Sequence, residues 1–240
     1  MKYSLTWLLL LSALITTGCL ADETTESITQ AREKMVIDDL MGRDITDPRV
    51  LEVIGNIPRH LFVDENLQHV AYNDNPLPIG DGQTISQPYV VALMTQSLEL
   101  TGNETVLEIG TGSGYQAAVL AELVKEVYTI EIKPTLAKKA EERLDSMDYK
   151  NIHVKNADGY FGWEEHAPYD AIMVTAAVNH IPPSLLDQLK DGGKLILPLG
   201  STSYYQTLTL VEKQGNELVV THITSVMFIP LTGEAEKKSI

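Results

Sequence analysis

The chain has 240 residues, of which 44% are hydrophobic and 21% charged, with 16 Gly and 11 Pro; this fits one folded domain and excludes a disordered, collagen-like or coiled-coil protein. Eighteen basic against 33 acidic side chains give a net charge of −15, so the surface repels phosphate backbones and anionic lipid, and nucleic acid is not an expected partner. The single cysteine, Cys19, excludes an internal disulfide framework and a cysteine-built metal site.

Residues 1–21 read as an export signal. Lys2 gives a positive start, Trp7 to Ile15 is apolar, and Thr16, Thr17 and Gly18 are small. The apolar run is shorter than the roughly 20 residues of a membrane-spanning helix. Two cleavage points compete. One lies before Cys19, where Gly18-Cys19 resembles a lipoprotein signal ending at residue 18; the other follows Ala21, with Cys19 and Ala21 as the small residues of an ordinary processing site. An uncleaved anchor helix is the bland alternative. The expectation is therefore an exported protein, periplasmic or a membrane-anchored lipoprotein, touching the membrane only through a lipid on Cys19. Residues 22–240 then form a single domain, expected to be a monomer.

An amphipathic helix is predicted over Ile28 to Met41, although its apolar residues have mixed spacing. Asp47-Pro48 starts a second helix, with a capping residue before a first-turn proline, and that helix stops between Gly55 and Pro58. His69 to Pro88 reads as a long loop interrupted by an apolar stretch at Leu77 to Ile79. Strands are then predicted at Val106 to Ile109, Glu126 to Ile130, Ile152 to Lys155, Ala171 to Thr175 and Leu195 to Pro198. Helices alternate with them at Tyr115 to Leu123, Thr135 to Met147 and Pro183 to Leu189, the pattern of a parallel α/β sheet. Thr207 to Lys213, Glu217 to Thr224 and Met227 to Pro230 read as antiparallel closing strands, and Glu234 to Ile240 as a frayed tail.

The first parallel strand runs into Gly110-Thr111-Gly112-Ser113-Gly114 and then a helix. That arrangement gathers backbone amides at a strand end and suits a nucleotide-like ligand. A dinucleotide loop would carry Gly or Ala where Tyr115 stands, which disfavours NAD. Glu131 ends the next strand, where a carboxylate can accept from two ribose hydroxyls. Asp158-Gly159 follows the third strand, where an adenine amino group could be read, although Asp-Gly is often only a turn. Glu108, inside the first strand, is expected to reach the loop amides or the ligand, because burying an unpaired charge is costly.

The segment Glu108 to Tyr115 resembles the first motif of S-adenosylmethionine-dependent methyltransferases. Further segments narrow it: Pro58 to Val63, Tyr72 to Pro76, Pro78 to Pro88, Asp158 to Trp163, Ala167 to Ile172, Val174 to Ala177 and Phe228 to Leu231. Together they resemble the protein-L-isoaspartate O-methyltransferase family from about Ile28 to Gly233. The resemblance implies a Rossmann-like sheet with an N-terminal helical extension, antiparallel C-terminal strands and a family-specific strand exchange near the end. It also implies S-adenosylmethionine as methyl donor and damaged, isoaspartyl-containing proteins and peptides as substrates, with D-aspartyl residues methylated less well. Within Thr84-Ile85-Ser86, Ser86 takes the place of the family's active-site serine, and Gln206 matches a glutamine near cofactor or substrate.

Methyl transfer to a carboxylate needs an ionised nucleophile, which a carboxylate already is at neutral pH, and no general base. The Asn73 to Pro88 loop agrees, since it holds no His, Lys, Arg or Cys. No metal-ligand cluster is apparent among the six His, so positioning must supply the catalysis. The hydroxyls of Thr84 and Ser86 orient a carboxylate more gently than a cation would. An alternative role for Ser86 is to cap the helix beginning near Pro88. Small residues Thr175 and Ala176 leave room for a peptide, and His180 to Pro183 could wall the cleft. Two rivals stay open: an exported methyltransferase for a small carboxylate, and a cofactor-binding protein without turnover.

Overall fold

The computed structural model describes residues 26–237. The expected export segment, Cys19 included, lies outside them. The described chain starts in helix α1, α-helical over 26–34 and π-helical over Met35–Met41. The wide π turn explains the mixed spacing of the sequence: Met35 and Leu40, five residues apart, are both buried, as i to i+5 geometry allows. Helix α2 (Pro48–Asn56) starts as predicted, with the Asp47 carboxylate accepting from the backbone amides of Arg49 and Val50.

The predicted long loop is more ordered than its punctuation suggests. Its first residues end the 3₁₀ turn Glu65–Val70, which follows another at Arg59–Phe62, and it contains a hairpin of β1 (Leu77–Gly80) and β2 (Gln83–Ile85). Asp81 and Gly82 turn that hairpin with φ of 50° and 72°, the two positive values that a tight two-residue hairpin requires. Helix α3 (Pro88–Ser97) follows directly.

Strand β3 (Thr105–Ile109) leads into α4 (Tyr115–Ala121), β4 (Glu126–Glu131), α5 (Pro134–Ser146) and β5 (Ile152–Asn156). The chain then returns to the other side of β3 as β6 (Tyr169–Val174), α6 (Pro183–Asp187) and β7 (Leu189–Gly200). Strands β8 (Gln206–Gln214) and β9 (Glu217–Val226) complete a seven-stranded sheet in the order β5-β4-β3-β6-β7-β8-β9. Pairing is parallel from β5 to β7 and antiparallel beyond it. The α/β, Rossmann-like architecture with an N-terminal helical extension and antiparallel closing strands is thus as expected, and the last three strands are neighbours in simple chain order.

Apolar residues of β3 alternate between two cores. Val106 joins one that includes α2, α3 and α4, while Leu107 and Ile109 join the other, around Tyr160, Leu185 and Leu189. The reversal of strand order beside β3 opens a crevice past the C-terminal ends of β3 and β6.

Three expectations at the C-terminal end are corrected. Residues 227–230 form no strand: the chain there leaves the sheet edge, and its only ladder pairing is an isolated bridge between Pro230 and Ala177. Strand β7 starts at Leu189, not Leu195, with Gly192 at φ 75°. The first part of the predicted tail is helix α7 (Glu234–Lys237), held by Ala235 in the second core and by the Glu234 amide donating to Asp158 Oδ2 at 2.8 Å.

Candidate active site

Two clefts meet at the C-terminal edge of the parallel strands. The inner one spans about 750 Å³ counting its open mouth and is lined by Gly110 to Ser113, Glu131, Gly159, Thr175 and Ala176, with Thr84, Ile85 and Ser86 on its other wall. The outer one is broader, about 1570 Å³, and runs past Gln87, Tyr89, Tyr204, Tyr205 and Thr224 to Pro230. They share Gln83, Thr84, Ser86, Thr175 and Pro230.

The inner wall is built from backbone. Gly110 follows β3 with φ 103°, and a Cβ there would lie 2.4 Å from the Thr175 hydroxyl oxygen. Only glycine satisfies both the dihedral and that approach. The Thr175 hydroxyl lies 2.9 Å from the Ile109 carbonyl oxygen and 2.8 Å from that of Gly110, and bonds them from behind. Glu131, 5% exposed, accepts from the Gly112 amide at 2.8 Å through Oε2 and from the Lys133 amide at 2.9 Å through Oε1. These two bonds fix the carboxylate at the cleft wall, each oxygen keeping a lone pair for a further donor. The Ser113 hydroxyl accepts from the Tyr115 amide at 3.3 Å, and its carbonyl accepts from Arg143 at 2.6 Å. A glycine cradle and a fixed acid at the neighbouring strand end, facing one cleft, fit a nucleoside-bearing methyl donor.

The opposite wall, Thr84 to Ser86, is delivered by the β1–β2 hairpin and pinned from outside. Asp74 accepts from the Gln87 side chain at 2.6 Å and from the Tyr89 amide at 2.9 Å, and it pairs with Arg43. Buried Arg59 donates to the Ser86 carbonyl at 2.7 Å. The Ser86 hydroxyl itself has no hydrogen-bond partner among the described residues. It does not cap α3: Gln87 holds the cap position, and Asp74 satisfies the Tyr89 amide.

Four assignments change. Glu108 lines neither cleft; it faces the helices on the Val106 side, fully buried, and Oε2 accepts from Thr129 at 2.5 Å. Burial raises its pKa to about 8, with the Glu131 charge adding to the rise and the Thr129 bond opposing it. The group is therefore neutral at pH 7, which is how the strand tolerates it, and it reaches the loop only through the Thr129 and Thr111 hydroxyls, 2.6 Å apart. Asp158 lies beside the cleft behind Gly159, but its oxygens accept from the Tyr160 and Glu234 amides. Gln206, 2% exposed, also lines neither cleft: its amide bonds the carbonyls of Ser201 and Tyr204, and its oxygen accepts from the Phe228 amide at 2.8 Å. It shapes the outer wall by holding two of its segments. His180 does not wall either cleft and bonds Asn179 and Tyr160 instead.

Arg59, Asp74 and Lys133 are functional neighbours that residue-by-residue reasoning passed over. The motif segments Pro58 to Val63 and Tyr72 to Pro76 were the available signal for the first two.

A family model for protein-L-isoaspartate(D-aspartate) O-methyltransferase matches residues 30–236. The chain is 60% identical over 215 residues to protein-L-isoaspartate O-methyltransferase 2 of Shewanella sediminis, covering 90% of this chain and 88% of that one. It is 49% identical over 225 residues to the enzyme of Opitutus terrae, covering 94% and 97%. A solved protein-L-isoaspartate O-methyltransferase structure superposes with a TM-score of 0.78 at 30% identity, covering 85% of this chain and 67% of that chain. Another, a beta-aspartate methyltransferase from Plasmodium falciparum in complex with S-adenosyl-L-homocysteine, gives 0.72 at 25% identity, covering 83% and 97%.

Proposed function

The chain belongs to the protein-L-isoaspartate(D-aspartate) O-methyltransferase family, and on that premise we propose that Thr84 and Ser86 orient the acceptor carboxylate where the two clefts meet. The enzyme transfers a methyl group from S-adenosylmethionine to the free carboxylate of isoaspartyl residues in damaged proteins, the step that initiates their repair. When bound, the donor supplies a methyl group made electrophilic by its sulfonium.

The observation that carries the site assignment is that Thr84 and Ser86 line both clefts at once. The glycine loop and Glu131 hold the donor in the inner cleft, while the outer cleft takes the peptide around its isoaspartyl residue. Ser86 donates a hydrogen bond to one carboxylate oxygen and leaves the other free to attack. A neutral donor suits this role, because a cation bonded to the carboxylate would lower its nucleophilicity. Thr175 supports the loop from behind and lines both clefts where they meet.

Ser86→Ala is expected to lower kcat/KM for an isoaspartyl peptide by about tenfold to a hundredfold, the loss of one hydrogen bond to a charged group. The dissociation constant for S-adenosylhomocysteine should stay within twofold. Wild-type turnover in the variant would remove Ser86 from the acceptor site.

The enzyme acts outside the cytoplasm, on the support of the positive start, apolar run and small residues before Cys19 and Asp22. Mass spectrometry of the protein from fractionated cells should find a mature chain starting at a lipid-modified Cys19 or at Asp22. A chain that keeps residues 1–18 in the cytoplasmic fraction would refute export.

A further inference from the structure

Arg59 is 0% exposed, yet no carboxylate among the described residues pairs with it. Buried cations are normally matched by an acid, since desolvation is costly. Here the guanidinium is stabilised by main-chain dipoles and a ring face. Nε donates to the Ala71 carbonyl at 2.8 Å, Nη2 donates to the Ser86 carbonyl at 2.7 Å, and the guanidinium carbon stands 4.9 Å from the centre of the Tyr115 ring. One side chain thus ties the 3₁₀ turn Arg59–Phe62 to the chain before the hairpin, to the backbone of Ser86 and to the first residue of α4. It lines neither cleft. The fold thus keeps a buried charge bonded directly to the backbone of Ser86.

We propose that Arg59 is a positioning residue for methyl transfer: it fixes the Ser86 backbone so that the hydroxyl meets the acceptor carboxylate, and it holds a positive charge behind that carboxylate rather than on it. The proposal rests on the assignment of Ser86 to the acceptor. A charge in this position favours an ionised group in the outer cleft over a neutral one. Because it is fully buried and lines neither cleft, it does not take the oxygen lone pairs that must attack the methyl group.

The test uses the full mature chain and compares Arg59→Lys, which keeps the charge but not the forked geometry, with Arg59→Gln, which keeps a donor but not the charge. Arg59→Lys is expected to lower kcat/KM for an isoaspartyl peptide about tenfold and Arg59→Gln about a hundredfold, mainly through KM. The S-adenosylhomocysteine dissociation constant should stay within twofold for both. In a Ser86→Ala background the Arg59→Lys loss should shrink below threefold, because the group it positions is gone. Full additivity in the double variant, or an equal loss of cofactor affinity, would overturn the proposal and leave Arg59 with a scaffold role. So would failure of both variants to fold. Wild-type activity of Ser86→Ala alone would instead sink the assignment of Ser86, so the two failures are distinguishable.

Discussion

Replacing Glu131 with alanine is expected to weaken S-adenosylhomocysteine binding by about two orders of magnitude, with far less change in kcat at saturating methyl donor. The carboxylate is already immobilised by the amides of Gly112 and Lys133, so it loses little freedom when a ligand arrives. Each further hydrogen bond to a charged group contributes about 1.5 kcal/mol or more. Two such bonds give roughly 3 kcal/mol, or about a hundredfold in affinity. Glu131→Gln should fall in between, because its oxygen can keep one amide while its NH₂ opposes the other. Calorimetric titration with S-adenosylhomocysteine measures this directly. An unchanged dissociation constant in the alanine variant would mean that the donor does not use this acid.

The second large effect concerns stability. Glu108 has a folded-state pKa near 8, against about 4.3 for an unperturbed glutamate. Between these values the folded chain holds a proton that the unfolded chain has released. Stability therefore falls as pH rises through that window, by up to about 1.4 kcal/mol per unit. The contribution is whole below the unfolded pKa and lost by the time pH passes the folded one. Glu108→Gln keeps the shape and an acceptor for Thr129 without the titration. The variant should therefore gain on the wild type steadily from pH 5 to pH 8, by several kcal/mol in all. Urea denaturation at a series of pH values gives the difference, in which other groups cancel. A gap that does not change with pH would show that Glu108 is ionised in the folded protein.

The two acids also show how much of the site was legible. Glu131 sits at a strand end after a regular apolar run, and its place at the crevice follows from sheet topology alone. For Glu108 the strand was right, but the face depends on alternation, which points position 108 to the helices with Val106 and away from the loop. The parallel sheet, the glycine loop and α2 were legible because their signals are local: alternating apolar runs, positive φ and a capping aspartate. Arg59, Asp74 and Gln206 were not. Their partners lie 12 to 27 residues away for Arg59, 13 and 15 for Asp74, and 22 for the oxygen of Gln206. No short-range pattern distinguishes a polar side chain that braces distant backbone from one in water. Residues 227–230 failed for a related reason: they have strand composition but no neighbouring strand to pair with.

Pro230, Leu231 and Thr232 line the inner cleft, while the hairpin that faces them comes from residues 77–85. A growing chain therefore has no complete inner cleft until residues 230–232 have been synthesised. A chain cut back before Pro230 lacks one wall of the cleft and should gain less stability from ligand, because that gain follows affinity.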